Sequence, residues 1–126
     1  MIDVDWDHLQ IFAQDPEPMA QWFRTWFNAS VNPTTTGRID VTLAGVQIFI
    51  AKPSATTTDT PRHPHNGFDH IGLKVQNLES AAQALREGGV RFTSEPKEIR
   101  PGVRMCFIEG PEGISIELLE RSGPQS

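Results

Sequence analysis

The sequence predicts an α+β fold: two tandem βαβββ modules whose curved mixed sheets surround a cleft. Two observations carry that expectation. The first is an internal repeat. Residues 6–25 laid over residues 68–87, an offset of 62, place Trp6 on Phe68, Asp7 on Asp69, His8 on His70 and Leu9 on Ile71, and seven of the twenty pairs are identical. Average residue usage would give about one identity over such a stretch. The halves also end alike, because residues 45–50 lie over residues 113–118 at an offset of 68. The second observation is that each half reads in the same order, strand, helix, then strands.

In the first half, residues 6–13 alternate, with Leu9, Ile11 and Ala13 on one face and Trp6, His8, Gln10 and Phe12 on the other. A helix is predicted from Pro16 to about Asn28, with Asp15 as its N-cap. Met19, Trp22, Phe23, Trp26 and Phe27 recur at helical spacing and read as the face that packs on the sheet. Residues 32–37 read as a loop, and residues 38–44 and 46–52 as strands. Residues 53–67, rich in Thr and Pro, read as a linker.

In the second half, residues 68–75 read as a strand. Asn77 is placed to cap a helix whose apolar stripe is Leu78, Ala81, Ala82 and Leu85, and Gly88 and Gly89 end it. Strands are predicted at 90–93, 103–109 and 113–120. The chain then forms a single domain, 1–126, with its modules at 1–52 and 68–121.

Composition narrows the function. A chain of 126 residues buries a core without disulfides or a structural metal. A net charge of -5, with no long block of either sign, argues against a general grip on nucleic acid. No apolar run approaches the ~20 residues of a membrane helix. The start of the chain has neither a basic region nor an apolar stretch, so no signal peptide is expected. The single cysteine, Cys106, excludes an internal disulfide and suits a reducing cytoplasm.

Three polar side chains project from the sheet faces opposite the predicted helices. His8 lies opposite Leu9 and Ile11, His70 opposite Ile71 and Leu73, and Glu117 opposite Ile116 and Leu118. A carboxylate in so apolar a strand needs a cation, a metal or solvent. Two histidines and one carboxylate suit divalent Fe, Mn, Zn, Ni or Co. Arg104 shares a strand face with Cys106 and Ile108, and would bind an anionic substrate if that face lines the cleft. His63 and His65 sit in the linker, where they could approach the cleft but read by default as exposed loop histidines, and Cys106 reads as a small buried residue rather than a nucleophile. Gly88 and Gly89 close a helix instead of opening one, so they form no phosphate cradle.

The segments 68–75 and 110–120, with 6–11, resemble the vicinal-oxygen-chelate superfamily, which includes glyoxalase I, methylmalonyl-CoA epimerase, extradiol dioxygenases, fosfomycin-resistance transferases and bleomycin-binding proteins. The resemblance implies that His8, His70 and Glu117 hold one divalent metal, with Glu117 also a candidate for proton transfer. Four-ligand members carry Glu or Gln on the last strand of the first module. Phe49 stands there, and Gln47 would serve only after a register slip. The resemblance therefore implies a three-ligand site whose substrate cleft is lined by Phe49 and Gln47, and Arg104 joins that lining if its strand face is the cleft face, being otherwise a surface arginine. It implies a metal-dependent, glyoxalase-like lyase or isomerase acting on a small oxygen-bearing molecule, working as a homodimer. An extradiol-type dioxygenase and a metal-free binding protein of the bleomycin-resistance kind are the alternatives.

Overall fold

Alternating apolar residues on three strands and one apolar helix stripe build the first unit, Met1–Asp59. The computed structural model describes residues 1–122. The elements of this unit are β1 (Leu9–Phe12), α1 (Pro16–Phe27), β2 (Ser30–Pro33), β3 (Ile39–Leu43) and β4 (Val46–Ala51). The sheet order is β1-β4-β3-β2, with β1 parallel to β4 and the other pairs antiparallel. Ile39, Val41, Leu43, Ile48 and Ile50 are buried on one face, and Met19, Ala20 and Phe23 of α1 are buried with them. Trp22, Trp26 and Phe27 are half-buried, so the aromatic stripe flanks the core as well as entering it.

Pro16 opens α1, where a missing N–H costs nothing, and Asn28 ends it in the left-handed conformation at φ 55. Asp15 precedes the helix but makes no side-chain cap bond. Two expectations change here. Residues 30–33 form an edge strand although residues 32–37 read as a loop. Its residues are mostly exposed on both faces, so it leaves no alternation in the sequence, and an edge tolerates Pro33 because no ladder donor is lost there. Strand β1 spans four residues, because its ladder with β4 begins at Leu9.

The second unit begins at Thr60. It contains β5 (Ile71–Lys74), α2 (Leu78–Glu87), β6 (Arg91–Arg100), β7 (Val103–Glu109), a 3-10 turn (Pro111–Gly113) and β8 (Ser115–Arg121). The order is β5-β8-β7-β6, with β5 parallel to β8. Leu78, Ala82 and Leu85 of α2 are buried, as are Ile116, Leu118, Cys106 and Ile108 of the sheet. The Asn77 side chain accepts the Ser80 N–H, and Glu120 of β8 accepts the Leu78 N–H at 2.8 Å, so two side chains serve the start of α2. Gly89, at φ +81, turns the chain out of the helix.

Strand β6 runs to Arg100, well past the predicted 90–93. Its register against β7 shifts three times, and Pro96 sits within it. Bulges on an edge strand break the period on which strand recognition depends.

The repeat is visible in three dimensions. Leu9 pairs with Ile48 and Ile71 with Ile116, which reproduces the offsets of 62 and 68. The turn before the last strand of each unit carries two successive positive φ values, Ala44 and Gly45 (50 and 83) in one, Glu112 and Gly113 (57 and 82) in the other.

Candidate functional site

In the second unit, pairing across β5 and β8 sets Gly72 beside Glu117. Glycine leaves the sheet face open there, and the Glu117 carboxylate lies over it, with Oε1 3.8 Å from where a Cβ would stand. His70 immediately precedes β5 and faces the same way. Its Nε2 is 3.1 Å from Glu117 Oε1, and its Nδ1 is 2.8 Å from Asp69 Oδ2. Phe107, opposite Glu117 on β7, meets the His70 ring edge to face at 4.8 Å. The Glu117 side chain is only 16% exposed.

Asp69 anchors this cluster. Oδ1 accepts the His65 N–H at 2.8 Å, while Oδ2 meets both His70 and His63, the latter through a 2.6 Å contact from Nδ1. The His63 contact is close but not aligned as a hydrogen bond, and its Nδ1 is buried. The hydrogen bond from His70 outweighs the opposing effect of desolvation and, with the His65 N–H and His63, holds the Asp69 carboxyl down at about 2. Sequence reasoning placed His63 in an exposed linker. The structure instead packs its ring 4.9 Å from Phe107 and brings it to Asp69. Nothing in the local pattern signals this, because the path of a loop decides it.

The residues fit a divalent ion. When Nδ1–H of His70 donates to Asp69, Nε2 presents a lone pair to a carboxylate oxygen. Two such atoms in contact need positive charge between them, either a proton or a metal ion. Ligand atoms about 2.1 Å from an ion and at right angles stand about 3.0 Å apart. The observed separation is 3.1 Å. One imidazole nitrogen and one carboxylate oxygen are the donors that borderline divalent metals take. His63, Asp69 and His70 also bring three donor atoms within 4.8 Å of one another.

In the first unit the equivalent positions are built differently. His8 Nδ1 lies 2.6 Å from Asp7 Oδ2, repeating the Asp69–His70 pair. Phe49 occupies the place that Glu117 holds in the second unit, and the His8 ring stacks on it at 4.1 Å. The Arg38 guanidinium also lies over Phe49, 3.8 Å from the ring centre, while pairing with Asp40 at 2.7 Å. Gln47 shares the Phe49 face, and its amide donates to Thr42 on β3 at 3.0 Å.

Arg104 is placed otherwise than the cleft expectation required. Phe107 shares the face of Glu117, so the strand period turns Arg104, Cys106 and Ile108 toward α2. Arg104 Nη1 lies 3.3 Å from Glu79 of that helix. A hollow of about 530 Å³ in the same unit is lined by His63, Arg91, Glu109 and Ser115, among others. The Ser115 hydroxyl is buried there with no hydrogen-bond partner among the described residues.

No helix among the described residues is long and apolar enough to cross a membrane. A probable lactoylglutathione lyase of Synechocystis is 36% identical over 58 residues, 45% of this chain and 44% of that protein. The lactoylglutathione lyase of Salmonella typhimurium is 36% identical over 56 residues, 44% of this chain and 42% of that protein. These matches span less than half the length of the curated relatives. Among solved structures, the fosfomycin resistance protein FosX of Listeria monocytogenes shares the fold at a TM-score of 0.75, with 15% identity over 96% of each chain. A glyoxalase/bleomycin resistance protein/dioxygenase of Alicyclobacillus acidocaldarius aligns at 0.68, with 16% identity over 94% of this chain and 92% of that one. The profile of one protein family matches residues 6–118, so the chain belongs to the Glyoxalase/Bleomycin resistance protein/Dioxygenase superfamily.

Proposed function

We propose that this protein is a divalent-metal-dependent, glyoxalase-like lyase or isomerase acting on a small oxygen-bearing molecule. The observation that carries this reading is the 3.1 Å approach of His70 Nε2 to Glu117 Oε1, on a strand whose neighbouring Ile116 and Leu118 are buried. His70 and Glu117 are the proposed ligands. His8 is the proposed third, on the strength of the repeat and of its matching contact with Asp7. A divalent ion there supplies positive charge against an oxyanion developing on the substrate.

The surrounding residues have separable roles in this reading. Glu117 is the carboxylate able to take and return a proton. Asp69 remains an acceptor, because His70 keeps it ionised far below neutral pH. The Phe107 ring packs edge to face against the imidazole and braces its orientation. The hollow beside His63, with its buried Ser115 hydroxyl, is the proposed seat for the rest of the substrate. We propose a homodimer in the cytoplasm as the working form. Sedimentation should give twice the chain mass, and a monomer at all concentrations would remove that claim.

Elemental analysis of protein purified without added metal tests the central reading. About one Fe, Mn, Ni, Co or Zn ion per site is expected, with affinity weakened at least about 100-fold in Glu117→Ala and His70→Ala. Wild-type metal content in both variants would refute the ligand assignment. Lactoylglutathione lyase activity, the activity named in the relatives, is the first to assay. Protein that takes up no metal after reconstitution would instead be a small-molecule binding protein.

A further inference from the structure

We infer that Asp69 is a positioning residue that keeps the His70 proton on Nδ1 and so reserves Nε2 for the metal. The inference rests on the proposed ligand role of His70 and Glu117. A neutral imidazole carries one proton and one lone pair, and a hydrogen bond at one nitrogen decides which nitrogen keeps the lone pair. Asp69 Oδ2, 2.8 Å from Nδ1, is an acceptor only, so it holds the proton at that nitrogen. The opposite nitrogen is the one that faces Glu117.

The carboxylate is itself held in place. Oδ1 is occupied by the His65 N–H at 2.8 Å, which fixes which oxygen turns toward the two imidazoles. His63 lies against that same Oδ2 and packs on Phe107, limiting the side chain's rotation. The arrangement also recurs: Asp7 Oδ2 lies 2.6 Å from His8 Nδ1 at the equivalent position of the repeat.

This geometry makes an unusual demand on substitution. In Asp69→Asn, the amide oxygen must keep facing the His65 N–H, since only an acceptor serves there. The amide NH2 then replaces Oδ2 and donates to His70 Nδ1. That forces the imidazole proton onto Nε2 and removes the lone pair that would bind metal. Asp69→Ala only releases the tautomer. The near-isosteric variant should therefore be the more harmful of the two.

The experiment is a zinc competition titration against a chromophoric chelator for wild type, Asp69→Asn, Asp69→Ala, His63→Ala, His70→Ala and Glu117→Ala. It is paired with ¹⁵N–¹H spectra of the imidazole nitrogens in zinc-loaded wild type. The expected order of affinity is wild type, then Asp69→Ala, then Asp69→Asn, the last weakened about 10- to 100-fold. The spectra should show zinc on His70 Nε2 and a proton on Nδ1. An Asp69→Ala variant weaker than Asp69→Asn would overturn the inference, because that is the order given by direct ligation through Asp69 or by a merely structural role. Zinc on Nδ1 of the wild-type protein, or His63→Ala as damaging as His70→Ala, would overturn it as well and place the ion between His63 and Asp69. Retained zinc in His70→Ala and Glu117→Ala, or no zinc binding at all, would refute the ligand assignment and this inference together. Loss in those two variants with wild-type affinity in Asp69→Asn would refute this inference alone.

Discussion

Cys106 illustrates what one position's surroundings do to its chemistry. The residue is fully buried beneath α2, and desolvation pushes the thiol up to about 11, against a smaller opposing effect from Arg86. Native protein should therefore resist thiol reagents at pH 8 and react fully once unfolded, and rapid labelling of the folded protein would contradict this burial. The linkage has a definite sign. A thiol of folded pKa about 11 and ordinary value 9.0 binds more protons folded than unfolded between those values, so its contribution is complete below 9 and is lost as pH rises toward 11. The burial of Cys106 was legible in the sequence, where it reads as a small residue of an apolar strand with nothing obvious to lower its pKa. The opposite course of Arg104 was not. Strand alternation groups it correctly with Cys106 and Ile108 but does not say which face meets the helix.

Among the elements, the tight connections carry the most specific demands. Gly102, between β6 and β7, has φ +80, and a Cβ there would stand 2.8 Å from the Ser122 carbonyl oxygen. Gly102→Ala should destabilise by about 1–3 kcal/mol in denaturant unfolding, because both the conformation and the space are unsuited to a side chain. The start of α2 depends on Glu120 as well as Asn77. Glu120→Ala should cost about 1 kcal/mol, and an unchanged midpoint would show that solvent serves the Leu78 N–H equally well. The helices were readable from Pro16, Asn77 and Gly89 because caps are local chemistry. The edge strands β2 and β6 were read short or missed. Their identity depends on pairing with a neighbour, and bulges and exposure erase the period-two signal.

For the whole molecule, the repeat explains both the shared scaffold and the divided chemistry. Each unit pairs its first strand in parallel with its last in the same relative register. Each leaves a histidine, backed by the preceding aspartate, on the face away from its helix. The facing position then diverged, to Phe49 in one unit and Glu117 in the other. Core burial underlies both. Phe23 is completely buried, and Phe23→Ala should cost about 3–5 kcal/mol. Saturating metal should raise the melting temperature in proportion to RT ln(1 + [L]/Kd), about 2.7 kcal/mol at 100 times Kd. His70→Ala should abolish that rise, and an equal rise in the variant would mean the ion sits elsewhere.

The sequence by itself determined the duplication, the α+β class, the helix limits and the sheet face to which His70 and Glu117 belong. These are encoded by local periodicity and by caps, which act over a few residues. Tertiary structure alone decided that His63 reaches Asp69, that Arg104 pairs with Glu79, and that β6 extends to Arg100. Such contacts join residues whose separation in space is set by the course of a loop or the register of a strand. Neither is written in the period of the residues that make them.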